Sequence, residues 1–190
     1  MYNTKMQGLQ RGLTIGLSFL GGLLILGGFV SLIIEEKISS TKSTPFKLIP
    51  DILKKMKLEK GEVLADLGSG DGSFLIEANR AKKVKTVGFE ISPVHIILSK
   101  FKKFFLFVFK GEKISLDLYP ENFLTYNKKT FFDFDVIYLN QPESILKYFE
   151  PRAKELTEKG IRIFTLQNQF EKLKPIQVHE LDKNIKLYEY

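Results

Sequence analysis

Apolar and polar positions along this chain fall into segments whose period changes at nearly every turn signal. The longest apolar run comes first. Gly12 to Ile34, GLTIGLSFLGGLLILGGFVSLII, is 23 consecutive residues without a charge. As a helix it reaches roughly 34 Å at about 1.5 Å per residue, enough for a hydrocarbon core of about 30 Å. Ser39-Ser40-Thr41-Lys42-Ser43-Thr44-Pro45 follows, small and polar like a connecting segment. Short apolar runs then alternate with helical periodicity. Pro50 or Asp51 starts a predicted helix through Lys57, with proline in its first turn. Strands are predicted from Glu62 to Leu67 and from Lys85 to Phe89, with a helix from Ser73 to Lys82 between them. Ser92-Pro93 reads as the N-cap and first position of a helix running towards Phe105. A third strand should end at Asp117, within Lys113 to Asp117, and a fourth should cover Phe134 to Leu139. A helix from Glu143 to Lys159 stops at Gly160, and Ile161 to Leu166 makes a fifth strand. Val178 to Leu181 and Ile185 to Tyr190 flank Asp182-Lys183-Asn184 as a terminal hairpin.

Alternating β and α segments with a closing hairpin predict an α/β fold: a mostly parallel sheet ending in an antiparallel pair. The expected organisation is an N-terminal anchor over residues 1–37, a linker and helix over 38–60, and the α/β domain over 61–190. A cleavable signal peptide would have a shorter apolar region and an A-x-A site after it, which this chain lacks. The apolar run is therefore read as an uncleaved, single-pass transmembrane helix at about 12–34. Lys5 and Arg11 precede it, whereas Lys37, Lys42, Lys47 and Lys54 follow. That bias places the domain on the cytoplasmic side. Gly8, Gly12 and Gly16 stand four apart, a spacing that lets two such helices approach as a homodimer.

Composition narrows the chemistry. The chain has no cysteine, which excludes disulfide scaffolds, thiolate metal sites and cysteine nucleophiles. His95 and His179 are the only histidines and have no spacing partners, so no metal site is expected. Of 29 Lys and Arg, only Lys5 and Arg11 precede Glu35, leaving 27 basic against 22 acidic residues in the remainder. A basic surface near anionic headgroups accounts for that excess without nucleic acid as a partner. Lys100, Lys102 and Lys103 interleave with Phe101, Phe104 and Phe105. On a helix, the aromatics at 101, 104, 105 and 109 form one stripe, read here as core-facing with the lysines wet.

The sharpest pattern is Asp66-Leu67-Gly68-Ser69-Gly70-Asp71-Gly72, followed by Val87-Gly88-Phe89-Glu90. A strand ending near an acid, three alternating glycines and a second strand ending in an acid describe a nucleoside-binding unit. The glycines permit positive φ and close approach of a ligand to backbone, and the next helix presents free amides to it. Glu90 stands where an acid reaches ribose hydroxyls. The dinucleotide fingerprint G-x-G-x-x-G fails in both registers, at Ser73 and at Leu75, and no Gly-Lys-Ser or Gly-Lys-Thr occurs. Asp66 would repel a pyrophosphate and suits a cationic amino group.

A ligand with an ammonium, a sulfonium, a ribose and an adenine meets these demands. In these motifs the chain resembles class I S-adenosylmethionine-dependent methyltransferases, with their Rossmann-like sheet. Thr44-Pro45-Phe46, the glycine motif, Val87 to Pro93, Leu98-Ser99-Lys100, Asp117-Leu118-Tyr119 and the Pro142 loop, behind an N-terminal apolar segment, narrow the likeness. It is to membrane-associated lysine methyltransferases related to those acting on the mitochondrial ATP synthase c subunit and the ADP/ATP carrier. The chain departs from them at Ser73, at Ser92 and in Asn140-Gln141-Pro142-Glu143. The resemblance implies S-adenosylmethionine held by Asp66, Gly68, Ser69, Gly70, Asp71, Gly72, Glu90 and Asp117, with Asp117 at the adenine amino edge. Asn140 and Gln141 would position the acceptor, beside Phe46 and Pro142. The implied acceptor is a lysine of a membrane protein. A lipid, isoprenoid or RNA acceptor, and a donor-binding membrane module without turnover, remain open at this point.

Overall fold

Over residues 43–190, four α-helices and seven strands follow from the predicted segments, with boundaries set by packing. The computed structural model describes residues 21–22 and 43–190, apart from 183. The proposed membrane helix, its glycine face and most of the linker lie outside the described residues. Among the described residues, no helix is long and apolar enough to cross a membrane. Contacts divide the chain into Met1–Ser40 and Thr41–Tyr190, and the second unit carries the sheet.

A short 3-10 turn, Phe46–Leu48, leads into α1, Ile49–Met56. Ile49, Ile52, Leu53 and Met56 are buried at helical spacing, which makes α1 part of the core as well as a connector. The strands are β1, Val63–Leu67; β2, Lys85–Phe89; β3, Leu116–Tyr119; β4, Val136–Leu139; β5, Arg162–Leu166; β6, Gln177–Asp182; and β7, Ile185–Glu189. Their order is β3-β2-β1-β4-β5-β7-β6, with β7 antiparallel to both of its neighbours and the other strands parallel. Between the strands lie α2, Ser73–Lys82; α3, Pro93–Lys110; and α4, Glu143–Glu158. The hairpin loops back so that β7 slots beside β5, with Tyr190 and Ile163 exchanging backbone hydrogen bonds at 2.9 and 3.2 Å.

Both faces of the central strands are covered, and side-chain alternation sorts them into two cores. Leu64, Phe74, Leu75, Tyr138 and Phe164 pack with α1 and α2 on one face. Ala65, Leu67, Phe89, Phe131, Phe149 and Ile163 pack with α4 on the other. The strand order reverses between β1 and β4, and the crevice beyond their carboxyl ends is where open α/β sheets bind ligands.

Besides end shifts such as α3 running on to Lys110 and β4 starting at Val136, two predicted features change in ways that matter for the surface and the site. β3 runs to Tyr119 instead of ending at Asp117, because pairing aligns Tyr119 with Phe89 at the end of β2. The predicted core stripe of α3 is corrected as well. Phe101, Phe104, Phe105 and Phe109 are between 43% and 69% exposed. α3 instead turns Ile96, Ser99 and Leu106 inwards. It is apolar around most of its circumference, so periodicity alone left its inner face undetermined.

Candidate functional site

At the carboxyl end of β1 the chain makes three left-handed glycine steps: Gly68 at φ +97°, Gly70 at +53° and Gly72 at +72°. The backbone N–H groups of Gly68 and Ser69 both donate to the Phe89 carbonyl, at 2.8 and 2.9 Å, which ties the turn to the end of β2. A side chain at Gly72 would meet Ser99 Oγ at 2.6 Å, so that glycine lets α3 close on the turn. Beside Gly70 nothing lies within 4 Å. Its missing side chain faces open space, the condition for close approach of a ligand to backbone. Ser69 points the other way, packed over Gly88, and its buried hydroxyl has no partner among the described residues.

Three acids surround this turn, and their settings differ. Glu90 accepts from Gly70 N–H through Oε2 and from Ser92 N–H through Oε1, both at 2.8 Å, with His95 Nδ1 3.8 Å away. Burial pushes its carboxyl up, but His95 and the two amides outweigh that and hold it below the usual carboxylate range. Asp71 pairs with Lys102 and accepts from Ser73 N–H at 3.0 Å, at the start of α2. Burial opposes this, and Lys102 with Ser73 still lowers its pKa. Asp71 therefore acts on the two helices as their clamp.

Asp66 is the exception. It is buried, with no hydrogen-bond or ion-pair partner among the described residues. Burial raises its pKa well above the carboxylate range, and nearby Glu90 and Asp71 add to the effect. A cation brought against such a buried acid, flanked by two further carboxylates, would favour its charged form.

Beyond Glu90 opens a cavity of 180 Å³, lined in part by Gly68, Glu90, Asn122, Phe123, Leu124 and Gln141. The structure brings Gly68, Glu90 and Gln141 together here, and it does not bring Asp117. That residue pairs with Val87, two positions before the end of β3, and is exposed. The longer β3 puts Glu121 and Asn122 at the strand tip in its place, both lining the cavity. Pro120 was the available signal, since proline ends a strand. Arg152 of α4 holds this loop from behind, donating to the Phe123 carbonyl at 2.9 Å and the Leu124 carbonyl at 3.4 Å. Its guanidinium lies 5.0 Å from the centre of the Phe131 ring.

On the other side of the turn, Asp66 sits in register with Tyr138. The buried Tyr138 hydroxyl and Thr44 Oγ1 are 2.8 Å apart, and Asn140 Nδ2 donates to Thr44 Oγ1 at 3.4 Å. Burial raises the Tyr138 pKa well above that of a free phenol; Thr44 opposes this and Asp66 reinforces it. Neither Thr44 nor Tyr138 stands among the candidate site residues of the sequence, because only strand pairing juxtaposes them. Gln141, expected to position an acceptor, spends its Nε2 on the Leu67 carbonyl at 2.9 Å. It packs over Gly68, where a Cβ would lie 1.9 Å from that nitrogen. Gln141 thus belongs to the wall of the turn. Pro142 is the N-cap residue of α4, and its carbonyl accepts from Ile145 and Leu146. Phe46 lines a separate cleft with Phe101 and Phe105.

The arrangement offers two hydrogen-bonded carboxylates, Glu90 and Asp71, a buried third, Asp66, and a cavity between a glycine turn and an aromatic-backed loop. No group of three or more His, Asp or Glu suited to a metal occurs among the described residues. No family model matches the sequence, and no curated protein does. Solved structures with this fold include an RNA methyltransferase from Salinibacter ruber in complex with S-adenosyl-L-homocysteine. It is 20% identical with a TM-score of 0.67, over 78% of this chain and 92% of that one. A SAM-dependent methyltransferase from Geobacter sulfurreducens is 18% identical with a TM-score of 0.55, over 77% of this chain and 57% of that one. Magnesium protoporphyrin IX methyltransferase from Synechocystis is 10% identical with a TM-score of 0.54, over 76% and 77%. At these identities the likeness establishes the fold alone, an α/β Rossmann-like sheet shared with those methyltransferases.

Proposed function

We propose that the chain is an S-adenosylmethionine-dependent methyltransferase, anchored in a membrane by residues 12–34 with its domain on the cytoplasmic side, and acting on a lysine of a membrane protein. The observation that carries the donor reading is the unpaired, buried Asp66 beside the glycine turn at the switch point of the sheet. Asp66 would take the donor's ammonium. Glu90, whose two oxygens already accept amides, keeps lone pairs for ribose hydroxyls. The Glu121–Leu124 loop would bound the adenine, in place of Asp117. Bound there, the donor supplies a methyl group already activated on a sulfonium.

The chain's own part is to align the acceptor and exclude water. Positioning of this kind lowers barriers by about 7–11 kcal/mol in well-oriented systems. A lysine amine, with a free pKa of about 10.4, must lose its proton first, and desolvation near a cation promotes that. Asn140, tied through Thr44 to Tyr138, stands at the β4 tip where an acceptor would enter. The lysine acceptor is supported by the resemblance of the motifs and by the charge-free segment over residues 12–34. The solved neighbours include enzymes named for RNA and for a porphyrin, so the test must separate acceptor classes. Membranes holding the full chain are given S-adenosylmethionine carrying a labelled methyl group, then divided into protein, lipid and RNA. Label in protein, located on lysine by mass spectrometry and lost in Glu90→Gln, is the expected result. Label confined to lipid or RNA overturns the lysine reading, and no label in any fraction overturns the enzyme.

A further inference from the structure

We propose that α3 lies in the headgroup region of an anionic lipid bilayer, as an in-plane element of the domain. Val94, Ile97, Phe101, Phe104, Phe105 and Val108 are all exposed, although α3 belongs to a folded unit with two filled cores. Phe107 and Phe109 are exposed as well and widen the surface. At 3.6 residues per turn, the exposed apolar positions sweep about 200° of the helix, interrupted by Lys100. A partner helix needs only the narrower seam of a coiled coil. An arc this wide, rich in phenylalanine, suits immersion in an apolar medium. Single exposed apolar residues are ordinary, whereas a contiguous patch of this extent marks a contact surface.

Charge selects the medium. α3 carries four lysines and no acid. Lys102 is held by Asp71 and Lys103 by the Leu116 carbonyl, while Lys100 and Lys110 are exposed. Long lysine stems lie along apolar surface and deliver the ammonium to headgroups. Phenylalanine on one face with lysine at its margins is the composition of helices that rest in the membrane interface. α3 does not qualify to cross a bilayer, so the contact proposed for it is in-plane. The surface continues to Phe46, which shares with Phe101 and Phe105 a cleft of 490 Å³; there Arg80 is paired with Glu77 and Glu112 and Lys102 with Asp71, which leaves Lys110 as its exposed lysine.

The chain contains no tryptophan, so one substitution gives a unique fluorescent reporter. Full-length Phe104→Trp and, as a control, Tyr148→Trp on exposed α4 are reconstituted in vesicles of phosphatidylcholine and phosphatidylglycerol in equal parts. Both side chains are exposed aromatics, and unchanged thermal unfolding verifies the fold. Tryptophan at 104 is expected to shift to the blue, lose emission to lipids brominated in the upper acyl chain, and resist aqueous iodide. Tryptophan at 148 is expected to respond only to iodide. Quenching at 104 should fall when phosphatidylglycerol is omitted, and equal quenching without it overturns the anionic surface. Iodide access at 104 in the presence of vesicles overturns the proposal. So does shielding without quenching by brominated lipid, which would mean that protein, either a second copy or another part of this chain, covers α3.

Discussion

Asp66 is buried close to Glu90 and Asp71, and that makes opposite demands on stability and on binding a cationic ligand. Its folded pKa is raised, so the folded state keeps a proton over a range where the unfolded chain has lost it. Stability therefore falls as pH rises from the ordinary carboxylate range through the raised value. Glu90 and Asp71 run the other way. Their pKa values are lowered, so what they contribute is present above the ordinary carboxylate range and is lost as acid titrates them. Asp66→Asn should raise the stability of the ligand-free protein at neutral pH by on the order of 1 kcal/mol, or about 2–4 °C in Tm for a chain of this size. The same change should weaken S-adenosylmethionine binding by about 1.5–3 kcal/mol, the scale of a hydrogen bond to a charged group. Calorimetry and thermal unfolding on one preparation check both signs; a variant that is less stable and binds normally would remove Asp66 from the site. Gly70 gives a second contrast. Its side-chain direction is empty but its φ is +53°. Gly70→Val should cost about 1–2 kcal/mol of stability from the left-handed backbone and abolish donor binding. Normal affinity in a folded Gly70→Val protein would show that the open space is not used.

Elements were legible in the sequence where the signal was local, and illegible where pairing decided. Ser73–Lys82 and Lys85–Phe89 match the predicted limits, because each is bounded by its own turn residues. Asp66, the glycines and Glu90 could be placed for the same reason: they stand at the ends of two well-bounded strands. Asp117 could not. Whether it sits at a strand tip depends on how far β3 pairs with β2, and the register carries β3 on to Tyr119. The hold of Gln141 on the Leu67 carbonyl was not legible, because it joins residues 74 positions apart. Arg152 was invisible for a similar reason, being a helix residue that acts on a loop 28 and 29 positions earlier. It grips two backbone carbonyls of the cavity loop without lining the cavity. Arg152→Ala should therefore speed hydrogen exchange across Glu121–Leu124 and weaken donor binding by about 1 kcal/mol, the usual net worth of such bonds. Unchanged exchange in that loop would show that the aromatic packing beneath it, Phe123 against Phe149 at 5.8 Å, suffices alone.

At the scale of the whole chain, two apolar features bear on membrane attachment: the charge-free stretch of sequence over 12–34 and the outer face of α3. They differ in kind, and the difference is measurable. A spanning helix is held by transfer of some 20 apolar residues into hydrocarbon and does not respond to ionic strength. An interfacial helix with basic margins gains part of its affinity from anionic headgroups, a contribution that salt screens over about 10 Å at 0.1 M. Full-length protein should thus remain with membranes through washes in high salt and in alkaline carbonate, yielding only to detergent. The Thr41–Tyr190 unit expressed alone should be found with anionic vesicles at low salt and in the supernatant at high salt. Sedimentation with immunodetection distinguishes the cases. Release of the full chain by salt alone would mean that residues 12–34 do not span, and that the basic, apolar surface of the domain makes the only attachment.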